Sequence, residues 1–174
     1  IVHNDSPYFH ITTNNTIYGT QWHEIPKVSM PVVADMSSDI LSRNLDFNSF
    51  GIIYAGAQKN MGAAGTNLVV VNKNILGKVK RAIPSIMDYR NHIQAKSMLN
   101  TPPVFAIYVS MLTLRWLKEN GGVEAIEKLN NEKAALLYHT IDNSKLFKPT
   151  AAKEDRSKMN VCFVMEDAEK EKEF

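Results

Sequence analysis

The sequence predicts an α/β fold, in which a mainly parallel sheet carries helices on both faces and a small α+β unit begins near the carboxyl end. Three features predict it. Brief apolar runs of the kind found in buried strands recur at 30–34, 50–55 and 67–71. Two long stretches of helical periodicity follow, between residues 104 and 141. A second β-type run, MNVCFVM at 159–165, comes only after those helices.

Taken in order, residues 8–12 alternate weakly and are β-branched or aromatic, which suits a short strand running into a polar loop at 13–15. MPVVA at 30–34 is a continuous apolar strand that stops at Asp35, Ser37 and Ser38. FGIIYA at 50–55 and NLVVV at 67–71 repeat the pattern, and apolar side chains on both faces imply strands buried on both sides. From 104 to 120 the apolar residues Phe105, Val109, Leu112, Trp116 and Leu117 share one helical side. Pro102 and Pro103 stand where a helix start tolerates proline, and Gly121 and Gly122 close the helix. A second helix is predicted over 123–141, carrying Ile126, Leu129, Ala134, Leu137 and Ile141 at helical spacing, with a stop at 142–144. The expected division is therefore 1–125, the later part of a large domain, and 126–174, a connecting helix with the first part of a smaller one.

Composition narrows the classes of function. Twenty basic and eighteen acidic residues leave a formal charge of +2, and the Lys and Arg are scattered, so no electrostatic footprint for nucleic acid appears. The single cysteine, Cys162, cannot close an internal disulfide, and no Cys/His cluster has zinc spacing, so a metal-free protein of a reducing compartment, the cytoplasm, is expected. The apolar stretches break within about ten residues, short of the roughly 20 needed to span a bilayer, and no signal peptide opens the chain. Ile1 in place of Met, and EDAEKEKEF at 166–174 opening what reads as a charged helix, suggest a fragment.

The chemistry concentrates in YAGAQKNMGAAG at 54–65, where Lys59 follows a strand amid small residues. A lysine buried there would have a lowered pKa, and the neutral amine is the form that attacks an aldehyde. The neighbouring glycines and alanines leave room for a flat cofactor. Taken alone, this segment reads equally as a plain strand-to-helix connection. It is not a P-loop, because Gly56 precedes Lys59 by only three residues and Asn60 follows it.

Asp35 closes the preceding strand, and ligands of open α/β sheets bind beyond the carboxyl ends of strands, so Asp35 and Lys59 can reach one cleft. Pyridoxal 5'-phosphate (PLP) needs such a pair: a carboxylate keeps its pyridine nitrogen protonated, and a lysine holds its aldehyde and moves the substrate proton. On local grounds Asp35 reads equally as the N-cap of a helix over 36–41.

The segments NNTIYGTQ (14–21), ADMSSDILSR (34–43), YAGAQKNMGAAG (54–65), PSIMDYR (84–90), NTPP (100–103), WLKENGG (116–122) and RSKMNV (156–161) resemble, in order and spacing, the phosphoserine aminotransferases, over nearly the whole chain. The resemblance implies a PLP enzyme of serine biosynthesis, moving an amino group from glutamate to 3-phosphohydroxypyruvate. It leaves open whether the related phosphorylated intermediate of pyridoxine biosynthesis is also a substrate. By similarity Lys59 is the Schiff-base lysine, Asp35 faces the pyridine nitrogen, Thr16 approaches the ring hydroxyl and Gln58 contacts the phosphate. Asn100 and Thr101 resemble the pair that reaches the cofactor phosphate of the other subunit in a homodimer. On local grounds alone, Asn100 and Thr101 read as a helix cap before Pro102, and Thr16 as a turn residue.

The resemblance also implies that the basic residues that clamp substrate, and the ring that stacks on the cofactor, lie in segments before Ile1 and after Phe174, so the 174 residues alone are expected to have little or no activity. His3, His10, His23, His92 and His139 read as surface or packing residues, and Arg43 and Arg90 as ion-pair partners. Asn15 stands where relatives often carry an acidic residue. The other readings the residues permit are a different PLP enzyme of this fold, such as a cysteine desulfurase or a serine–glyoxylate aminotransferase, and a non-catalytic scaffold.

Overall fold

The computed structural model describes residues 5–167, 169 and 170. Its central sheet has the order β1-β4-β5-β6, formed by β1 (Phe9–Thr12), β4 (Val32–Asp35), β5 (Ile52–Gly56) and β6 (Asn67–Val71). The first three are parallel and β6 is antiparallel to β5, so a mainly parallel sheet is present. Two two-stranded ribbons accompany it, β2 (Asn14–Asn15) with β3 (Thr20–Gln21), and β7 (Phe147–Pro149) with β8 (Phe163–Met165). The helices are α1 (Tyr89–Gln94), α2 (Val104–Glu119) and α3 (Gly122–Asp142).

Among the described residues the buried core lies against one face of the sheet. Ile11, Val32, Ala34, Ile53 and Ala55 point into a core completed by Met36, Ile40, Phe50 and Met61. The alternate residues Val33, Ile52, Val69 and Val71 are only half-buried.

Helix α2 turns large apolar side chains outward. Phe105 and Trp116 are 76% and 54% exposed, while Ala106 and Ser110 turn inward. Small residues decide the face. Ser110 lies so close to Gly62 that a Cβ there would meet its Cα at 2.8 Å, and Ala106 sits against Gly65. Gly62→Ala in the full-length protein is therefore expected to push α2 off the turn and cost about 1–3 kcal/mol, measured as a lower urea midpoint at unchanged m-value. The long helix α3 docks where Asn130 Nδ2 donates to the Ser42 carbonyl at 3.3 Å and Glu127 Oε2 accepts from the Asn44 amide at 3.0 Å. Of the stripe predicted for it, Ala134 and Ile141 are buried, whereas Leu129 and Leu137 are exposed.

Beyond α3, Arg156 clamps Asp142 with two 2.8 Å contacts and lies over the Tyr138 ring at 4.6 Å. Arg43 and Arg90 form ion pairs as expected, with Asp39 and Asp88. His3, and the end of the charged helix expected over 166–174, lie outside the described residues.

The loop expected at 13–15 is instead the first arm of the β2–β3 ribbon, and no helix forms over 36–41. Those residues make tight turns, with the Ile40 amide donating to the Met36 carbonyl at 2.9 Å. Asp39 is buried there, accepting from Thr13 Oγ1 at 2.5 Å and Gln21 Nε2 at 3.3 Å. Burial pushes its carboxyl above the usual carboxylate range, against the opposing pull of Thr13, Gln21 and Arg43. A carboxyl whose folded pKa is raised contributes stability below its unfolded pKa and loses it as pH rises through the folded value. The unfolding free energy of the wild type relative to Asp39→Asn should accordingly fall as pH is raised from about 4 to 7, as followed by denaturant titration at each pH.

Candidate active site

The parallel register sets Thr12, Asp35 and Tyr54 side by side at the carboxyl ends of β1, β4 and β5. Asp35 is half-buried, with its backbone carbonyl taken by the Thr13 amide and hydroxyl at 3.0 and 3.1 Å. One of its carboxylate oxygens accepts from the Ser37 amide at 2.8 Å, so it does cap the turn that follows, without starting a helix. Ser37 Oγ in turn accepts from the Gly56 amide at 3.1 Å, which ties the Asp35 turn to the turn bearing Lys59. The Tyr54 hydroxyl lies beside the same carboxylate and 3.0 Å from His10 Nε2; burial, then the Asp35 charge, push its pKa up.

After β5 the chain folds back on itself, with the amides of Met61 and Gly62 both donating to the Ala57 carbonyl. That turn buries Ala57 and Met61 and throws Gln58 and Lys59 outward. Lys59 is thus exposed, contrary to the burial expected for it, and its Nζ donates to Thr16 Oγ1 at 3.0 Å. Gln58 folds back over Gly56 so closely that a Cβ on Gly56 would lie 2.4 Å from Oε1.

Thr16 sits in the β2–β3 turn, which Asn15 shapes by accepting from the amides of Ile17 and Tyr18 at 3.0 and 3.1 Å. The carboxylate of an aspartate can accept the same two bonds, so asparagine in place of an acidic residue leaves the turn intact.

Of the residues singled out in the sequence, the fold gathers Asp35, Gln58, Lys59 and Thr16 at the carboxyl end of the parallel strands. Asn100 and Thr101 lie apart from them, exposed, before α2. They do not cap that helix: its N-cap is Pro103, without a side-chain bond, and Asn100 Nδ2 reaches only the Thr101 carbonyl at 3.3 Å. A cavity of about 540 Å³ is lined by Thr20, Gln21, Trp22, His23 and Glu154, and Lys59 is not part of its lining.

A primary amine with a hydroxyl beside it, a carboxylate on the adjoining strand end and an amide over a glycine form a donor set that fits PLP. The amine suits its aldehyde, the carboxylate its ring nitrogen, and the bare Gly56 lets Gln58 lie close to the backbone. Ser37 and Tyr54 were not predicted as part of this cluster. Ser37 stands two residues after Asp35, where a capping acceptor finds its donor, and Tyr54 occupies the strand position that faces the same way as Asp35.

Comparison with known proteins follows the same line. The family described as Aminotransferase class-V matches residues 1–174. The chain is 62% identical over 170 residues to the phosphoserine aminotransferase of Flavobacterium johnsoniae, covering 98% of this chain and 48% of that protein. It is 52% identical to that of Bacillus subtilis, with the same coverage. Among solved structures, the phosphoserine aminotransferase from Bacillus circulans subsp. alkalophilus superposes with a TM-score of 0.93 at 39% identity, over 99% of this chain and 48% of that one. The PLP-bound enzyme from Trichomonas vaginalis gives 0.90 at 40%, over 96% and 47%. The chain spans about half the length of the curated relatives it matches.

Proposed function

The chain belongs to the class-V aminotransferases, and from that footing we propose that the full-length protein is a PLP-dependent phosphoserine aminotransferase. It moves an amino group from glutamate to 3-phosphohydroxypyruvate, giving 2-oxoglutarate and O-phosphoserine. The carrying observation is the Lys59 amine, held 3.0 Å from the Thr16 hydroxyl at the same end of the sheet as Asp35.

When bound, PLP supplies an aldehyde that can carry an amino group and a ring that takes up electron density. Lys59 would hold that aldehyde, and its amine would carry the proton taken from the substrate α-carbon. Asp35, oriented by the Ser37 amide, would supply the negative charge that keeps the ring nitrogen protonated. Thr16, whose hydroxyl accepts from Lys59 Nζ, would bind the ring hydroxyl, and Gln58 the phosphate. Storing the amine between two half-exchanges makes the kinetics ping-pong.

On the same reading Asn100 and Thr101 serve the cofactor phosphate of a partner subunit, which suits their distance from Lys59 and makes the enzyme a homodimer with composite sites. Residues 1–125 are the later part of the cofactor-binding domain, and 126–174 are the connecting helix with the first part of a smaller one. The basic groups that bind substrate carboxylate and phosphate are placed outside these 174 residues. The protein is expected to act in the cytoplasm, and no helix among the described residues is long and apolar enough to cross a membrane.

The test is an amino-exchange assay of the full-length protein with glutamate and 3-phosphohydroxypyruvate, with residues 1–174 assayed beside it. Formation of O-phosphoserine by the full-length protein only is the expected result. No product with either, or substantial turnover by the 174 residues alone, would overturn the assignment.

A further inference from the structure

The grip of Thr16 on Lys59 depends on how the β2–β3 ribbon is held, since two residue pairs, Asn14 with Gln21 and Asn15 with Thr20, do not hold a hairpin in water. What holds it is Asn14, 2% exposed. Its Nδ2 donates to Ser38 Oγ at 2.8 Å and to Asn160 Oδ1 at 2.7 Å, and its Oδ1 accepts the Ser157 hydroxyl.

The proton count fixes this arrangement. Ser38 spends its one hydroxyl proton on the Asn14 carbonyl at 2.9 Å, so its oxygen is left to accept. Ser157 Oγ already accepts from the amides of Met159 and Asn160 at 3.0 and 2.9 Å, so its proton is free for Asn14 Oδ1. The side chain at 14 must therefore donate twice and accept once, which an amide does and a carboxylate of the same shape does not.

Its partners come from two other parts of the chain. Ser38 belongs to the turn that follows Asp35, and Ser157 and Asn160 to a turn between β7 and β8. The same C-terminal segment holds the ribbon at further points: the Ser157 amide donates to the Gly19 carbonyl at 2.7 Å, Thr150 Oγ1 to the Tyr18 carbonyl at 3.1 Å, and the Lys158 amide to Gln21 Oε1 at 3.1 Å.

We propose that Asn14 is a positioning residue that fastens the turn at 157–160 to the Thr16–Lys59 contact, so that a displacement of the C-terminal segment reaches the amine of the active site. The proposal rests on Lys59 being the cofactor amine. It sets Asn14 apart from a residue that merely stabilises the fold, because loosening it moves the hydroxyl beside Lys59 Nζ.

The test uses full-length protein mixed with PLP, following the rate at which the visible absorption of the lysine-bound cofactor develops and the affinity for PLP, with thermal unfolding recorded in parallel. Asn14→Asp and Asn160→Ala are expected to slow that development about threefold or more and to weaken PLP binding about threefold or more. Asn160→Asp, which keeps an oxygen for Asn14 Nδ2, should restore both. Phe50→Leu, a core change at the opposite end of the sheet, should lower the unfolding temperature and leave both where they were. Asn160 is only half-buried, so its two variants decide the matter if Asn14→Asp does not fold. A rate and an affinity unmoved in every folded variant, with stability alone reduced, would overturn the positioning role. Absence of the absorption band from the wild type would instead overturn the Lys59 assignment.

Discussion

Lys59→Ala in the full-length protein is expected to lower kcat by about 10²- to 10⁴-fold through loss of proton transfer alone, with a further loss because the cofactor is no longer held by a covalent bond. The lysine hydrogen-bonds only to Thr16 among the described residues and is exposed, so its removal should leave the unfolding midpoint close to that of the wild type. That separation makes the variant informative. Steady-state rates and a denaturant curve, measured on one preparation, distinguish lost chemistry from lost fold. Added primary amines should recover part of the rate, because a free amine can carry the proton that Lys59 carried. A rate within about threefold of wild type would mean that Lys59 does not serve the reaction.

Asp35→Asn is expected to have the second-largest effect. The amide can still accept from the Ser37 amide and keep the turn, but it carries no charge to hold a proton on the ring nitrogen. Removing one member of a hydrogen-bonded charge pair costs about 2–5 kcal/mol, which is roughly a 30- to 5000-fold fall in kcat/KM. The Tyr54 hydroxyl supplies an independent readout. Its pKa is pushed up by burial and then by the Asp35 charge, so the substitution should bring it down, visible in a difference titration of tyrosine absorbance. If kcat/KM drops while that titration stays where it was, Asp35 does not carry the charge assigned to it.

Both residues were legible in the sequence for one physical reason. Each follows a short run of β-branched residues, and the parallel order of β4 and β5 brings the carboxyl ends of such runs together. The sheet itself was legible because VVAD, IIYAG and NLVVV are contiguous and apolar. The β2–β3 ribbon was not. Its arms are two polar residues each, and its register comes from the Asn15 turn, from the left-handed Gly19 at φ 66°, and from partners more than 140 residues away in sequence.

The inward side of α2 was hidden for a related reason. Apolar spacing pointed to Phe105, Leu112 and Trp116, while close approach to Gly62 and Gly65 selected Ala106 and Ser110. A helix shows which of its faces is apolar, but the face that packs inside a chain depends on the surface it meets. The exposure of Lys59 was missed likewise, because the turn beginning at Ala57 directs it outward and no spacing rule encodes that turn.

The measurement closest to the centre of this account is borohydride reduction of the full-length protein after incubation with PLP, followed by peptide mapping by mass spectrometry. A single pyridoxyl group, fixed on the peptide containing Lys59, is the expected product. A pyridoxyl group found on another lysine, or none at all, would contradict the assignment of Lys59 as the residue that holds the cofactor.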